Sequence, residues 1–184
     1  MSNYSIYKTK KQLKIMLKLG MFLVSVLTFS ASAFAFVPHR VEKYGLGLDL
    51  PDGFTKLVRE EVPSQRVYDS YHGNYADKSF VHVHIQKEDM EGGWSAEDLQ
   101  RQLQRTVNIY KEHGAEIVRA EVVHLPEHDG LLLHSIHGGK EHLTLQRYCH
   151  GTMYIVTCTF DGKDKYGVKE FDSVLASVKC LREH

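Results

Sequence analysis

The stretch LLLHSIHGGKEHLTLQRYCHGTMYIVTCTF, residues 131–160, decides the fold. It divides into three runs rich in Leu, Ile, Val, Thr and Tyr: Leu131 to His137, His142 to His150 and Met153 to Phe160. The breaks fall at Gly138-Gly139 and His150-Gly151. Side chains of these kinds suit a pleated, half-buried backbone, and a pair of turn residues between two such runs marks a hairpin. The stretch therefore reads as a three-stranded antiparallel meander. Its apolar face needs cover, so it is expected in the middle of a larger sheet, with the amphipathic segments on either side of it in sequence as the covering helices.

The first of those segments is the best-marked element in the chain. Ser95 is placed to cap a helix with Asp98 three residues on, a relative of the capping box, and Trp94 and Leu99 sit where a hydrophobic staple would close. Leu99, Leu103, Thr106, Val107 and Tyr110 recur at helical spacing, Gln100, Arg101, Gln104, Arg105, Asn108 and Lys111 make the opposite face polar, and Gly114 supplies the stop. The second segment carries Phe171, Val174, Leu175 and Val178 at helical spacing, with Asp161 or Asp164 available as its cap.

Upstream, Tyr44 to Leu50 alternates as a strand and stops at the Pro51-Asp52-Gly53 turn. Lys56 to Glu61 and Arg66 to Tyr71 read as strand pieces around a Pro63 to Gln65 turn, with Gly73-Asn74 as a further turn. Phe80-Val-His-Val-His-Ile85 is a strand whose alternation puts Phe80, His82 and His84 on one face and Val81, Val83 and Ile85 on the other. Ile117 to Leu125 is another strand. These elements predict an α+β domain, a mostly antiparallel sheet covered by two main helices in an αβα layered sandwich.

Residues 1–35 read as a signal peptide. Lys8, Lys10, Lys11, Lys14 and Lys18 form a basic leader without an acid, Met21 to Phe29 is apolar, and Ala33-Phe34-Ala35 offers the small-x-small pattern that a signal peptidase cuts. A start at Met16 would shorten the leader and leave the mature end near Phe36. An uncleaved anchor is the alternative, because Met21 to Val37 approaches the roughly 20 residues of a spanning helix. Ser25, Thr28, Ser30, Ser32 and the Ala-x-Ala site weigh against it. Residues 36–184 then form one domain, expected in the periplasm or outside the cell, without stable membrane insertion once the leader is cut.

The whole chain balances 23 basic against 23 acidic residues, but five lysines lie in the leader, so residues 36–184 carry 18 basic and 23 acidic residues and a net charge of −5. That sign argues against nucleic acid or an anionic membrane surface as partner, because both need a basic patch. All 12 histidines lie in residues 36–184. Cys149, Cys158 and Cys180 allow one disulfide and a leftover thiol in an exported protein. A His150-Gly151 turn would set Cys149 opposite Thr152, so Cys158–Cys180 is the expected bridge, against three buried free thiols.

His82 and His84 share a strand face about 7 Å apart, a spacing that holds Zn²⁺ or Cu²⁺ if a third ligand comes from a neighbouring strand. His72, His134 and His142 are the candidates for that ligand; the alternative is a half-buried face of hydrogen-bonded histidines and no cofactor. His124, His128, His134 and His137 flank the loop at Asp129-Gly130 and would form a titrating cluster if the strands return side by side. Cys149 and His150 are adjacent, so they point to opposite faces and make no dyad, and Ser135 lacks the glycines of a nucleophile elbow. Asp161-Gly-Lys-Asp164 lacks the later ligands of a calcium loop. No catalytic residue emerges. The aromatic side chains Tyr68, Tyr71, Tyr75 and Phe80 crowd a polar region and make a candidate protein-binding surface, as against ordinary packing on the sheet.

Four short pieces carry a resemblance: Leu46 to Phe54, Ser95 to Leu99, Gly151 to Thr157 and Phe171 to Val178. Their order is similar to the PsbP-like fold family, which includes the extrinsic lumenal protein of photosystem II and periplasmic DcrB-like proteins. Phe54 stands where that family often has Trp. The resemblance implies an accessory protein that works by binding, without catalysis, its partner another envelope or secreted protein or a second copy of itself. A periplasmic metal-binding protein using His82 and His84 is the alternative.

Overall fold

The computed structural model describes residues 35–61, 67, 69–75, 79–87, 94–126, 129–149, 152–163 and 166–181. Strands β1 (Phe36–Val41) and β2 (Leu46–Pro51) flank a 3-10 turn at Glu42–Tyr44, and β3 (Val58–Glu60), β4 (Asp69–Tyr75) and β5 (Ser79–Lys87) follow. Helix α1 (Ala96–Glu112) leads to β6 (Glu116–Val123) and to the meander β7 (Gly130–His137), β8 (Lys140–Cys149) and β9 (Thr152–Phe160). Helix α2 (Val168–Ala176) and β10 (Lys179–Cys180) close the chain's described part.

The strands form two sheets, a seven-stranded one in the order β3-β4-β5-β9-β8-β7-β6 and a three-stranded one in the order β1-β2-β10. Every pairing in both is antiparallel. The meander lies inside the large sheet as expected, because Gly138 and Gly139 have φ of 59° and 77°. Two successive residues with positive φ give the turn whose twist matches that of the flanking strands, and His137 accordingly pairs with Lys140. The turn at His150-Gly151 lies outside the described residues, but Cys149 does pair with Thr152.

Helix α1 starts where its cap requires. The Ser95 hydroxyl accepts from the Asp98 backbone N–H at 3.1 Å, and the Asp98 carboxylate accepts from the Ser95 N–H at 3.2 Å. Its apolar stripe turns Leu99 and Thr106 into the protein against β6 and β7. Helix α2 lies on the other face. Phe171, Val174 and Leu175 pack toward β8 and β2, and Arg119 of β6 pairs with Asp172 at 3.6 Å.

Between α2, the small sheet and the large sheet sits the main core. Val81, Val83, Ile85, Leu143, Leu145, Val156, Cys158 and Phe160 come from the large sheet, and Leu46, Leu48 and Leu50 from β2, all of them buried. Each such side chain contributes roughly 1.5–3 kcal/mol. Arg147 reaches from β8 into the same layer, where its guanidinium donates to the carbonyls of Val178 and Pro126. Asp69 joins the layer at its edge: with its side chain 2% exposed, it accepts from Tyr44 Oη at 2.8 Å and Arg59 Nε at 2.6 Å.

Several expectations need correction. The disulfide joins Cys149 to Cys180, with Cα atoms 5.8 Å apart, and leaves Cys158 as a buried free thiol. Cys158 lies six residues up β9 from Thr152, the partner of Cys149, which at about 3.3 Å per residue is some 20 Å from the end of the sheet where Cys180 is held beside Leu46. Gly73-Asn74 is no turn: both residues stay in the β4–β5 ladder opposite Val81 and Phe80. Glycine serves there for closeness, since a Cβ would meet Leu57 Cδ2 and the Thr55 carbonyl oxygen at 3.2 Å. Helix α2 is capped by neither expected aspartate. Its N-cap is Gly167, whose N–H donates to Glu170 Oε2 at 3.0 Å, while Asp161 accepts from the Lys163 N–H and Asp164 lies outside the described residues. The segment between is used by Tyr166, whose hydroxyl donates to the Asp52 carbonyl at 2.8 Å. The expected turn at Pro63 to Gln65 and the leader up to residue 34 also lie outside the described residues. Among the described residues, no helix is long and apolar enough to cross a membrane.

Candidate functional site

Helix α1 packs on β6 and β7, at one end of its face of the large sheet. On that same face toward the other end, strand alternation and register bring together Val58 and Glu60 of β3, Ser70 and His72 of β4, Phe80, His82 and His84 of β5, and Ile155, Thr157 and Thr159 of β9. Val58 is 62% exposed. His72, Phe80, His82, His84, Ile155, Thr157 and Thr159 are half-buried.

The histidines form a row. His72 lies directly opposite His82 and Ser70 directly opposite His84. The His72 and His82 rings stack with centroids 4.9 Å apart, the His84 ring follows at 6.1 Å, and Phe80 closes the row 5.6 Å from His72. Glu60 reaches over from the edge strand: one carboxylate oxygen is 3.0 Å from His72 Nδ1 and the other 4.0 Å from His82 Nδ1. His84 Nδ1 is 3.3 Å from Ser70 Oγ, and on β8 His142 Nδ1 is 3.0 Å from Thr159 Oγ1. The Nε2 of His72 is buried with no partner among the described residues. Burial lowers the pKa of His82 and of His84 below the ordinary 6.5; the neighbouring His72 adds to this for His82, and the Glu60 carboxylate opposes it for both. Burial also lowers His142. These three rings are therefore neutral at neutral pH, the form in which imidazole nitrogen offers a lone pair.

Of the three expected partners for His82 and His84, the structure places His72 in their row. His142 lies beyond β9, and His134 is on the opposite face with Nε2 2.8 Å from Glu141. Glu60 was missed. Alternation within Lys56 to Glu61 puts it on one face with Val58, but nothing in that run tells which strand lies beside it.

The four expected contact aromatics are not gathered on one surface. Tyr71 and Tyr75 point to the face opposite Phe80, and Tyr75 packs into a cluster with Phe54 at 5.7 Å and Tyr166 at 4.8 Å. Phe80 stands beside His72 with the Lys140 ammonium 5.3 Å from its ring centroid, and Tyr68 lies outside the described residues. The loop histidines are dispersed too: His124 is 88% exposed and pairs with Asp129 at 2.9 Å, His134 pairs with Glu141, and His128 lies outside the described residues. Neither candidate nucleophile has a base. Cys149 is held in the disulfide, and Ser135 Oγ is buried with no hydrogen-bond partner among the described residues. Burial pushes the remaining thiol, Cys158, far above its ordinary pKa.

The architecture is that of the PsbP-like α+β fold. The chain is similar to the solution structure of cyanobacterial PsbP (CyanoP) from Synechocystis sp. PCC 6803, with a TM-score of 0.61 over 83% of this chain and 96% of that one at 15% sequence identity. At that identity the likeness is one of fold. A crystal structure from Bacteroides thetaiotaomicron matches with a TM-score of 0.48 and 13% identity, over 76% of this chain and 46% of that one. No protein-family model matches the sequence, and no curated protein does.

Proposed function

We propose that the chain is an exported, non-enzymatic accessory protein that acts by protein–protein contact, through the half of the large sheet that α1 does not overlie. The observation that carries this reading is the composition of that face. Val58, Phe80 and Ile155 supply apolar contact between the histidines and threonines of β4, β5 and β9, and such a mixture of aromatic, aliphatic and polar groups is common in the core and rim of interfaces. The partner is another envelope or secreted protein, or a second copy of this chain. The PsbP-like fold supports an accessory role through the resemblance described above. Export is supported by the basic and apolar leader with its Ala-x-Ala site, and by a disulfide, which persists in oxidising compartments.

The test places a photo-crosslinking residue at Thr157, on the proposed face, and at Gln104, on the exposed side of α1. In living cells the Thr157 probe is expected to give a discrete adduct in the envelope fraction and the Gln104 probe none. Equal labelling at both positions, or none at Thr157, sinks the proposal. N-terminal sequencing of the exported protein should begin at Phe36.

A further inference from the structure

We propose that Glu60, His72 and His82 form a binding site for a divalent d-block cation, Zn²⁺ or Cu²⁺, one ligand coming from each of β3, β4 and β5. The inference is independent of the protein-contact reading and rests on register. Directly opposed residues of an antiparallel pair have Cβ atoms about 4.5–5.5 Å apart, against about 7 Å for neighbours on one face of a single strand. His72 and His82 are such an opposed pair, so they converge better than His82 and His84 do. His84 is one place further along and turned to Ser70.

The distances fit the ion. With metal–nitrogen bonds of about 2.0–2.1 Å, tetrahedral donors stand about 3.4 Å apart. The Glu60 oxygens lie 3.0 Å from His72 Nδ1 and 4.0 Å from His82 Nδ1, on either side of that value. As the side chains lie, no group of three or more His, Cys, Asp or Glu residues among those described is closed into a metal-holding set. Closing this one takes rotation of the stacked His72 and His82 rings, whose planes lie 25° apart, so that both Nδ1 lone pairs turn toward one ion beside the carboxylate. The cation replaces the Nδ1 proton that His72 directs at Glu60. The ring's proton moves to the buried Nε2, which has no acceptor among the described residues, and the metal bonds to Nδ1 and to the Glu60 carboxylate take the place of the hydrogen bond between them. Two imidazoles and one carboxylate are a donor set for zinc or copper, and the half-exposed setting leaves the fourth position to water.

The test uses the exported protein carrying no affinity tag, stripped with chelator, equilibrated with zinc chloride alone and passed through a desalting column before elemental analysis. Near one zinc per chain is expected. His72→Ala and His82→Ala should each weaken binding at least about tenfold, while His84→Ala and the exposed His124→Ala stay within about threefold. His82→Gln, which keeps the side chain polar and near in size, accompanies His82→Ala, and circular dichroism confirms that each variant is folded. Retention of no zinc by the wild type overturns the proposal. So does full retention by the folded His72→Ala and His82→Gln variants, or a loss caused by His124→Ala.

Discussion

Breaking the Cys149–Cys180 bond should loosen the whole domain by a measurable amount. The bond spans a sequence separation of 31 residues and encloses β9, α2 and β10. In the chain-entropy account, closing a loop of that length removes disorder from the unfolded chain equivalent to about 3.7 kcal/mol at 25 °C. In the folded state the Arg147 guanidinium donates to the Val178 carbonyl and holds the chain two residues before Cys180 even without the sulfur link, so reduction acts mainly on the unfolded chain and leaves the fold in place. A loss of about 2–4 kcal/mol is therefore expected for the reduced protein and for the Cys149→Ala, Cys180→Ala double variant, which in a domain of this size lowers Tm by roughly 2–4 °C per kcal/mol. The variant should lose slightly more than the reduced wild type, because Cys149 is 1% exposed and its truncation opens a small gap.

Urea melts of the oxidised, reduced and doubly substituted proteins measure the loss, and thiol titration checks the pairing. The oxidised protein should show no reactive thiol when folded and one in urea, because Cys158 is buried and its thiolate is strongly disfavoured there. Proteolysis without reductant should release one peptide pair joined through Cys149 and Cys180. A linked pair containing Cys158, or melts that coincide with and without reductant, would refute the reasoning.

Acid should weaken the metal-free protein before it touches the carboxylates. Burial keeps His39, His82, His84 and His142 below the ordinary 6.5, so the unfolded chain takes up protons that the folded one refuses; stability is full above about pH 6.5 and falls as pH drops through the lower folded values. Urea midpoints between about pH 8 and pH 5 read this out, and a midpoint constant or rising toward acid contradicts it. At the start of α1, Ser95→Ala removes the acceptor for the Asp98 N–H and should cost about 1 kcal/mol in the same assay, with Ser95→Gly costing less.

How far the fold could be read in advance follows from the range of each signal. The meander, the capped start of α1 and the apolar stripe of α2 are written in residues at most a few places apart: Gly138-Gly139 for the turn, Ser95 and Asp98 for the cap, Phe171, Val174 and Leu175 for the stripe. Local chemistry decides them, and tertiary packing agrees. The pairing of β5 with β9, the position of β3 at the sheet edge and the meeting of β10 with β2 join segments far apart in sequence, and no residue type announces them. The disulfide belongs to this second kind. Knowing that Cys149 faces Thr152 did not place Cys180, which is located by the path of the chain after α2.

The same division governs the candidate site. Alternation alone put Phe80, His82 and His84 on one face, because a strand's period of two is local, and Val81, Val83 and Ile85 are buried behind them as that period requires. Proximity in sequence groups Tyr71 and Tyr75 with Phe80. Once β4 is laid beside β5, His72 is the residue opposite His82 and Asn74 the one opposite Phe80, so the tyrosines at odd positions must face the other way. There Tyr75 fills space against Phe54 and Tyr166, and His72 takes the place on the open face that the tyrosines had been assigned. A one-residue shift in that register would exchange the two sets, so the β4–β5 ladder makes this face a row of imidazoles beside a carboxylate and not a tyrosine patch.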